Sequence, residues 1–379
     1  MAEPLKGFFD RALVERIGAS LVRAWPDFSE RRFVRDASRG LDALELKARA
    51  RRIADALGAC LPPEFPEAAR IVVDSLGPRH ATDELEGAGM APFFYLPHTT
   101  WVAHAGLDHF EEAMAAQHEL TQRFTCEFSV RPFLERYPER TLARLSEWTR
   151  DPSAHVRRLV SEGTRSRLPW ASRVRWLDDH PERVLPLLEA LKDDPSSMVR
   201  RSVANHLNDL GKHRPDLVLP LAARWLDVAS EDRRKLVRHA LRSAIKRGER
   251  GALALLGHGA RPAIAATATM TPKRVRIGDA VRIAVTVEST SDAPQPLNLD
   301  LEVAFVKVRG ERPKVFKLAQ ITLAPGAKAT VEKRVSLAVH TTRTPRPGRH
   351  EVALLANGER YPVGAFSVVE PPTSRAPDS

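Results

Sequence analysis

The chain has 379 residues, enough for two or three domains with sizeable cores. Its 59 lysines and arginines against 48 acids leave a formal net charge of +11, a balance that favours nucleic acid or another polyanion as partner. Only Cys60 and Cys126 are present, far apart and at no metal or redox spacing, which excludes a disulfide framework and fits a reducing interior.

The N-terminus, MAEPLKGFFDRALVERIG, lacks a secretory apolar core, and no uninterrupted apolar run reaches membrane-spanning length. A cytoplasmic, nucleoid-associated monomer with no membrane partner is expected. From Phe8 to about Gly58 the pattern is that of amphipathic helices, and LPPEFPEAARIVVDSLG (61–77) starts another after a proline-rich turn. EGAGMAPFFYLP (86–97) reads as a glycine-rich loop, and 98–138 as two helices leading into a repeated region. His98, His104, His109 and His118 form no H-x-x-x-H pair, so no metal is expected there. Glu127 is the only acid between Glu119 and Glu135 and has apolar neighbours in Cys126, Phe128 and Val130. It is either a functional carboxylate or a cap or ion-pair partner of Arg123 or Arg131.

In the repeated region DPSAHVRRLV (151–160) returns as DPSSMVRRSV (194–203), a spacing of 43 residues, the period of HEAT-like helix pairs. The partner helices begin YPERTL at Tyr137, HPERVL at His180 and RPDLVL at Arg214, each with proline at a first helical position and an acid close behind. A diverged third unit places Val237-Arg238-His239 where the second has Val199-Arg200-Arg201. Helical spacing turns Val199, Val203, Leu207 and Leu210 inward, leaving Arg201, Asn205 and Lys212 opposite with Asp209 on the flank. In the first unit Val156, Leu159, Val160 and Gly163 face inward, with Arg158, Glu162 and Arg165 outward. Stacking aligns these stripes into one largely basic face suited to a polyanion.

GHGARP (257–262) ends the helical part, and seven alternating segments then fill about 110 residues, the pattern of an immunoglobulin-like sandwich. The fold class expected is therefore mainly α, a helical-repeat solenoid over 1–258, with an all-β sandwich over 262–370 and a disordered tail over 371–379. Two basic insertions interrupt the sandwich: KVRGERPK (307–314) and HTTRTPRPGRH (340–350). Each is either a solvated turn or a phosphate contact. In the second, prolines stiffen the stretch that carries Arg343, Arg346 and Arg349.

Glu127, RDPSAHVRRLVSEGTRSRLPWA (150–171), DPSSMVRRSVANHLNDLGKHRPDLV (194–218) and the appended sandwich together resemble the HEAT-like-repeat DNA alkylation repair glycosylases. The match is to the AlkC branch, which carries an immunoglobulin-like C-terminal domain, and it covers nearly the whole chain. The resemblance implies removal of cationic N-methylated bases such as 3-methyladenine and 3-methylcytosine from duplex DNA, without a metal or redox cofactor and without full flipping of the lesion. It also implies a catalytic surface of Glu127, Glu162, Trp170 and Asp209, with Arg158 at the DNA backbone.

The residue types suit that chemistry. A cationic base departs without a general acid, so the protein has to stabilise the sugar cation and direct water at it, which carboxylates do by charge and by accepting a proton. An indole face adds about 0.5 to 2 kcal/mol of attraction for a cation. Structural roles stand beside these. Glu162 can pair with Arg158 or Arg165, Asp209 lies at the end of its helix that disfavours an acid, and Trp170 can be core as expected of Trp148, Trp176 and Trp225. The rival function is a non-catalytic helical-repeat scaffold binding nucleic acid or protein; a surface adhesion protein built on the sandwich fits poorly with the N-terminus.

Overall fold

A computed structural model describes residues 5–83, 89–258, 261–306, 311–339 and 345–370; Arg343, 371–379 and the tip of the first basic insertion lie outside the described residues. Helices occupy the chain as far as Leu255 and strands run from Ile264 to Val369. Among the described residues no helix is long and apolar enough to cross a membrane.

The stretch from Phe33 breaks in two at Gly40, whose φ is 66°, and the amphipathic patterns form helices Arg11–Ala24, Glu30–Ser38, Leu46–Gly58 and Phe65–Asp74. The first buries Leu13, Val14, Ile17 and Leu21, and Asp10 caps it by accepting from the Leu13 amide at 2.8 Å. The stretch 86–138 departs from expectation. A 3-10 turn, Ala91–Tyr95, runs directly into helix Leu96–Ala105, and two further helices come after it, Phe110–Thr121 and Arg131–Arg136. Pro97 and Pro132 occupy opening positions of their helices, where the missing N–H costs nothing.

The repeated phrase proves to be a device that joins each unit to the next. Asp151 and Asp194 each accept from the amide two residues on, at 2.8 and 2.9 Å, and so shape the turn before helices Ala154–Gly163 and Ser197–Leu210. Arg157, the first arginine of its pair, donates to the carbonyls of Asp151 and Pro152 in its own unit, then reaches Asp194 of the next through Nε at 2.6 Å and Nη2 at 3.0 Å. Arg200 repeats the move with Asp194 and Pro195 carbonyls and with Asp232, at 2.9 Å, in helix Glu231–Ala240. His118 makes the corresponding contact to Asp151 one step earlier, at 2.7 Å.

Packing divides the chain into two compact units, residues 1–217 with 229–240, and residues 218–228 with 241–379. The change from helix to strand falls at the expected linker, whereas helices Arg242–Lys246 and Arg250–Leu255 pack with the strands beyond it. Gly248 and Gly358 bring these parts together. Both have positive φ, and a Cβ on Gly358 would lie 2.6 Å from the Gly248 carbonyl oxygen, a contact no side chain allows.

Among the described residues the second unit has eight strands: β1 Ile264–Thr271, β2 Arg274–Arg276, β3 Ala280–Ser289, β4 Gln295–Val306, β5 Glu311–Leu323, β6 Lys328–Ser336, β7 Gly348–Ala356 and β8 Glu359–Val369. They form sheets ordered β1-β3-β6 and β2-β8-β7-β4-β5. Seven correspond to the alternating segments. The eighth, β2, is three residues long, too short to alternate visibly, and pairs parallel to β8. Val281, Ile283, Val285 and Val287 of β3 meet Leu297, Leu299, Leu301 and Val303 of β4 in the core.

Two buried histidines give the helical unit a pH dependence. His98, fully buried beside Phe94 and Tyr95, and His206 are both held down to about 4 by desolvation. Unfolding restores an ordinary value near 6.5. The unfolded chain therefore binds protons that the native one refuses, so stability is fully present above about pH 6.5 and declines as pH falls toward 4, with a slope of up to about 1.4 kcal/mol per pH unit for each histidine. Urea midpoints that drop through this window and stay level between about pH 7 and 8 are the expected result. Level midpoints down to pH 4 would contradict it.

Candidate active site

Glu127 sits on a turn that its neighbours hold rigid. The Thr125 hydroxyl donates to Glu127 Oε2 at 2.7 Å and accepts from the Glu127 amide at 3.2 Å. On either side Cys126 is buried, and the Ser129 hydroxyl donates to the Gln117 side chain at 3.0 Å. The carboxylate's partner is Arg158, through Nη2 at 3.1 Å, with Nη1 on Thr125 Oγ1 at 3.3 Å. Among the described residues neither expected partner forms an ion pair with it, although the Glu127 charge is felt at Arg131. Arg123 binds Glu119 and the Gly77 carbonyl, and Arg131 turns into the protein. Arg158, expected at a DNA phosphate, is thus partly committed to Glu127 and keeps 21% side-chain exposure.

Glu162 and Arg165, expected on an open stripe, are buried instead, 6% and 9% exposed. The reason is pairing between adjacent repeats: Arg165 binds Glu162 with Nη1 and reaches across to Asp209 with Nε, at 3.1 Å, and Nη2. Burial of charge is tolerable only where such partners complete it. The second Glu162 oxygen accepts from Ser202 at 2.6 Å, and Ser202 also meets Ser161 at 2.5 Å. His206 contacts the Ser161 carbonyl at 2.9 Å from below. Close approach brings Glu127 to the same place, since a Cβ built on Gly163 would lie 4.0 Å from the Glu127 Cα.

Asp209 is the most open of these carboxylates, with side-chain exposure of 20% against 13% for Glu127 and 8% for Glu162. Lys212 donates to its free oxygen at 2.8 Å. Burial raises the carboxyl's pKa, but hydrogen bonds and charge from Lys212 and Arg165 outweigh it and hold the group below its usual range. The same cations offset the unfavourable helix end. Arg165 responds in the opposite sense, with burial pushing it down and Glu162 and Asp209 raising it further.

Trp170 is not core. It is 66% exposed, whereas Trp148 and Trp225 are 8% and 1% exposed. Trp176 is half-buried and stacks on His180. The Trp170 backbone has φ of 66°, a left-handed conformation costly for a bulky side chain, and Lys47 donates to its carbonyl. Beside it lies an apolar cavity of about 320 Å³ lined by Phe93, Leu96, Phe128 and Pro132 among others. Among the described residues no hydrogen bond or ring contact joins the indole to the carboxylates, so Trp170 stands apart from the other three candidates on its own loop.

Of the other basic candidates, Arg201 is exposed and has no ion pair among the described residues, while Lys212 belongs to the Asp209 pair. Arg346 and Arg349 are exposed in the second unit, the latter 2.7 Å from Glu351. Thr125, Ser202 and Lys47 were not singled out from the sequence, and Arg131 only as a partner for Glu127. Ser202 had a signal, because it stands where the first repeat has the buried Leu159, a hydroxyl in an apolar slot. Among the described residues no cluster of histidine, cysteine and acid side chains could hold a metal.

Comparison with known proteins gives a consistent picture. Residues 120–247 match the family described as DNA alkylation repair enzyme, a span that contains the whole carboxylate cluster and Trp170. Residues 265–370 match the C-terminal Ig-like domain of uncharacterised protein YhaZ. The chain is 34% identical over 359 residues to the uncharacterized protein YhaZ of Bacillus subtilis (strain 168), covering 94% of this chain and 96% of that one. It is also 35% identical to the alkylpurine DNA glycosylase AlkC of Pseudomonas fluorescens, solved bound to DNA containing an abasic site analog. That structure aligns with a TM-score of 0.87 over 97% of this chain and 99% of its own.

Proposed function

The chain belongs to the AlkC branch of the DNA alkylation repair enzyme family, and from that premise we propose that it is a DNA glycosylase hydrolysing the N-glycosidic bond of cationic N-alkylated bases, such as 3-methyladenine and 3-methylcytosine, in duplex DNA. The observation that carries the reading is that Arg158, which pairs with Glu127, lies on the same helix as Glu162, which shares Arg165 with Asp209 of the next repeat.

When the glycosidic bond breaks, its electron pair stays with the base, which leaves neutral. The positive charge passes to the sugar, where the fixed carboxylates stabilise it. Water adds to the sugar carbon and gives up its proton to a carboxylate. Asp209 is suited to that last role, being ionised and the most accessible of the three. Glu162 is the least exposed, held between Arg165 and Ser202, whereas one Asp209 oxygen is met only by the partly exposed Lys212, so Glu162 sets the position of Arg165. The indole of Trp170 offers an exposed face to the cationic base or sugar. Incubation with methylated duplex DNA, followed by a count of abasic sites, tests the activity. Tight binding without abasic sites would make the chain a scaffold.

Contacts to the duplex are assigned to the basic residues left open. Arg201→Ala should lower the slope of log affinity against log salt by about 0.9, the value of one phosphate contact. An unchanged slope would move the DNA to another surface. Arg158→Ala would alter Glu127 as well, and so reports on both. The sandwich is proposed to add contacts of its own. Changing Arg343, Arg346 and Arg349 together to Ala should weaken duplex binding and flatten its salt dependence without lowering the melting temperature. Affinity equal to that of the unchanged chain would make the sandwich a docking module for another partner. Cutting the chain at the linker is a poorer test, because it strips helix Arg250–Leu255 of the strands it packs with.

A further inference from the structure

We propose that Arg131 is a positioning residue: it gathers both ends of the loop 163–172 on one guanidinium and thereby holds Trp170 presented for reaction, an inference that rests on the glycosylase reading above.

Arg131 is 1% exposed, and among the described residues its guanidinium donates to backbone carbonyls. Nε donates to Ser172 at 2.8 Å, Nη1 to Gly163 at 3.2 Å and Arg165 at 2.6 Å, and Nη2 to Ser166 at 2.8 Å. Desolvation lowers its pKa to about 10, which leaves the group charged at neutral pH. A buried cation is stable only with its donors satisfied, and here the satisfaction comes from one loop. Three acceptors lie where that loop leaves helix Ala154–Gly163 and the fourth where it returns, so the ends are pinched together and the intervening residues project. Leu168 is buried, two residues before Trp170, which is exposed.

The pinch stands in the right place to hold a strained conformer. Trp170 keeps a positive φ, which persists only when its surroundings over-determine it. Arg131 fixes the loop base, the Ala171 amide donates to the Leu168 carbonyl at 3.2 Å, and Lys47 binds the Trp170 carbonyl from outside. Gly163 makes the reach possible. A side chain there would come within 2.7 Å of Val130, the residue next to Arg131. The same guanidinium holds the carbonyls of Gly163 and Arg165, so one side chain keeps the Trp170 loop in register with the end of helix Ala154–Gly163.

A double-mutant cycle on the full chain tests this, with excision measured in single turnover for the unchanged protein, Arg131→Lys, Trp170→Ala and the pair. Lysine keeps the charge but cannot reach four carbonyls at once. Arg131→Lys is expected to slow excision by about tenfold with the duplex affinity retained, and to cost nothing further once Trp170 is alanine. Lys47→Met, an exposed change that spares the core, should slow excision in the same Trp170-dependent way. Amide exchange across 164–174 should rise in the Arg131 variant whether or not the DNA is cut. Additive losses in the cycle would overturn the inference, as would unaltered exchange. Absence of excision by the unchanged protein would overturn the glycosylase reading and with it the catalytic part of the inference, while exchange would still decide whether Arg131 holds the loop.

Discussion

Asp209→Asn lowers the rate of base release by about 100-fold, the loss expected on removing one preorganised charge beside a developing cation, and leaves duplex affinity unchanged or slightly higher. Asparagine keeps the size of the side chain and one oxygen that can accept from Arg165, which also stays paired with Glu162, while the exposed Lys212 can turn to solvent. The fold should therefore survive, and a negative charge disappears from the face proposed to meet DNA. Single-turnover release from a methylated duplex, run beside a binding titration, separates the two effects. Glu127→Gln should behave alike. Glu162→Gln should lower both rate and melting temperature, because Glu162 is buried between Arg165 and Ser202. Binding that falls in step with rate for Asp209→Asn would make that acid structural.

Asp194→Ala destabilises the helical unit by about 3 to 5 kcal/mol, the range for removing one partner of a buried ion pair. Asp194 has 3% side-chain exposure and Arg157 12%, so the arginine would be left buried without its counter-charge. The substitution also deletes the acceptor of the Ser196 amide, at 2.9 Å, which shapes the turn before helix Ser197–Leu210. Asp232→Ala serves as a control. Its side chain is 56% exposed, and its pair with Arg200 should contribute within about 1 kcal/mol. Urea unfolding of the two variants measures the difference, and equal small losses would show that the pairs between repeats do not carry the stack.

The fold was legible because its signals are periodic. DPSxxVRRxV recurs with the repeat, and Val281, Ile283, Val285 and Val287 alternate as a sheet requires. The short strand β2 and the third helix of the stretch 86–138, Arg131–Arg136, gave too few turns of pattern to read. In the site, helical spacing gave the direction of Glu162 and Arg165 but not their burial. Burial depends on which charges a neighbouring repeat supplies, and Asp209 and Ser202 supply them across 44 and 40 residues. Glu127 stands out by its lone charge in apolar surroundings, yet its partner Arg158 is fixed by packing and not by nearness in sequence. The exposure of Trp170 had no signal in composition. It results from the left-handed backbone and from Arg131, whose four acceptors are carbonyls and so leave no trace in residue types.

Hydrolysis by the carboxylate cluster is tested most sharply by identifying, with mass spectrometry, the product released from a duplex carrying a single N3-methylated base. The unchanged protein should release the free methylated base and leave a continuous strand with one abasic sugar, which breaks only on treatment with alkali. A variant combining Glu127→Gln, Glu162→Gln and Asp209→Asn should bind that duplex and release nothing above the spontaneous rate. Release by the triple variant at the rate of the unchanged protein, or a strand cut with the base still attached, would contradict the assignment of hydrolysis to Glu127, Glu162 and Asp209.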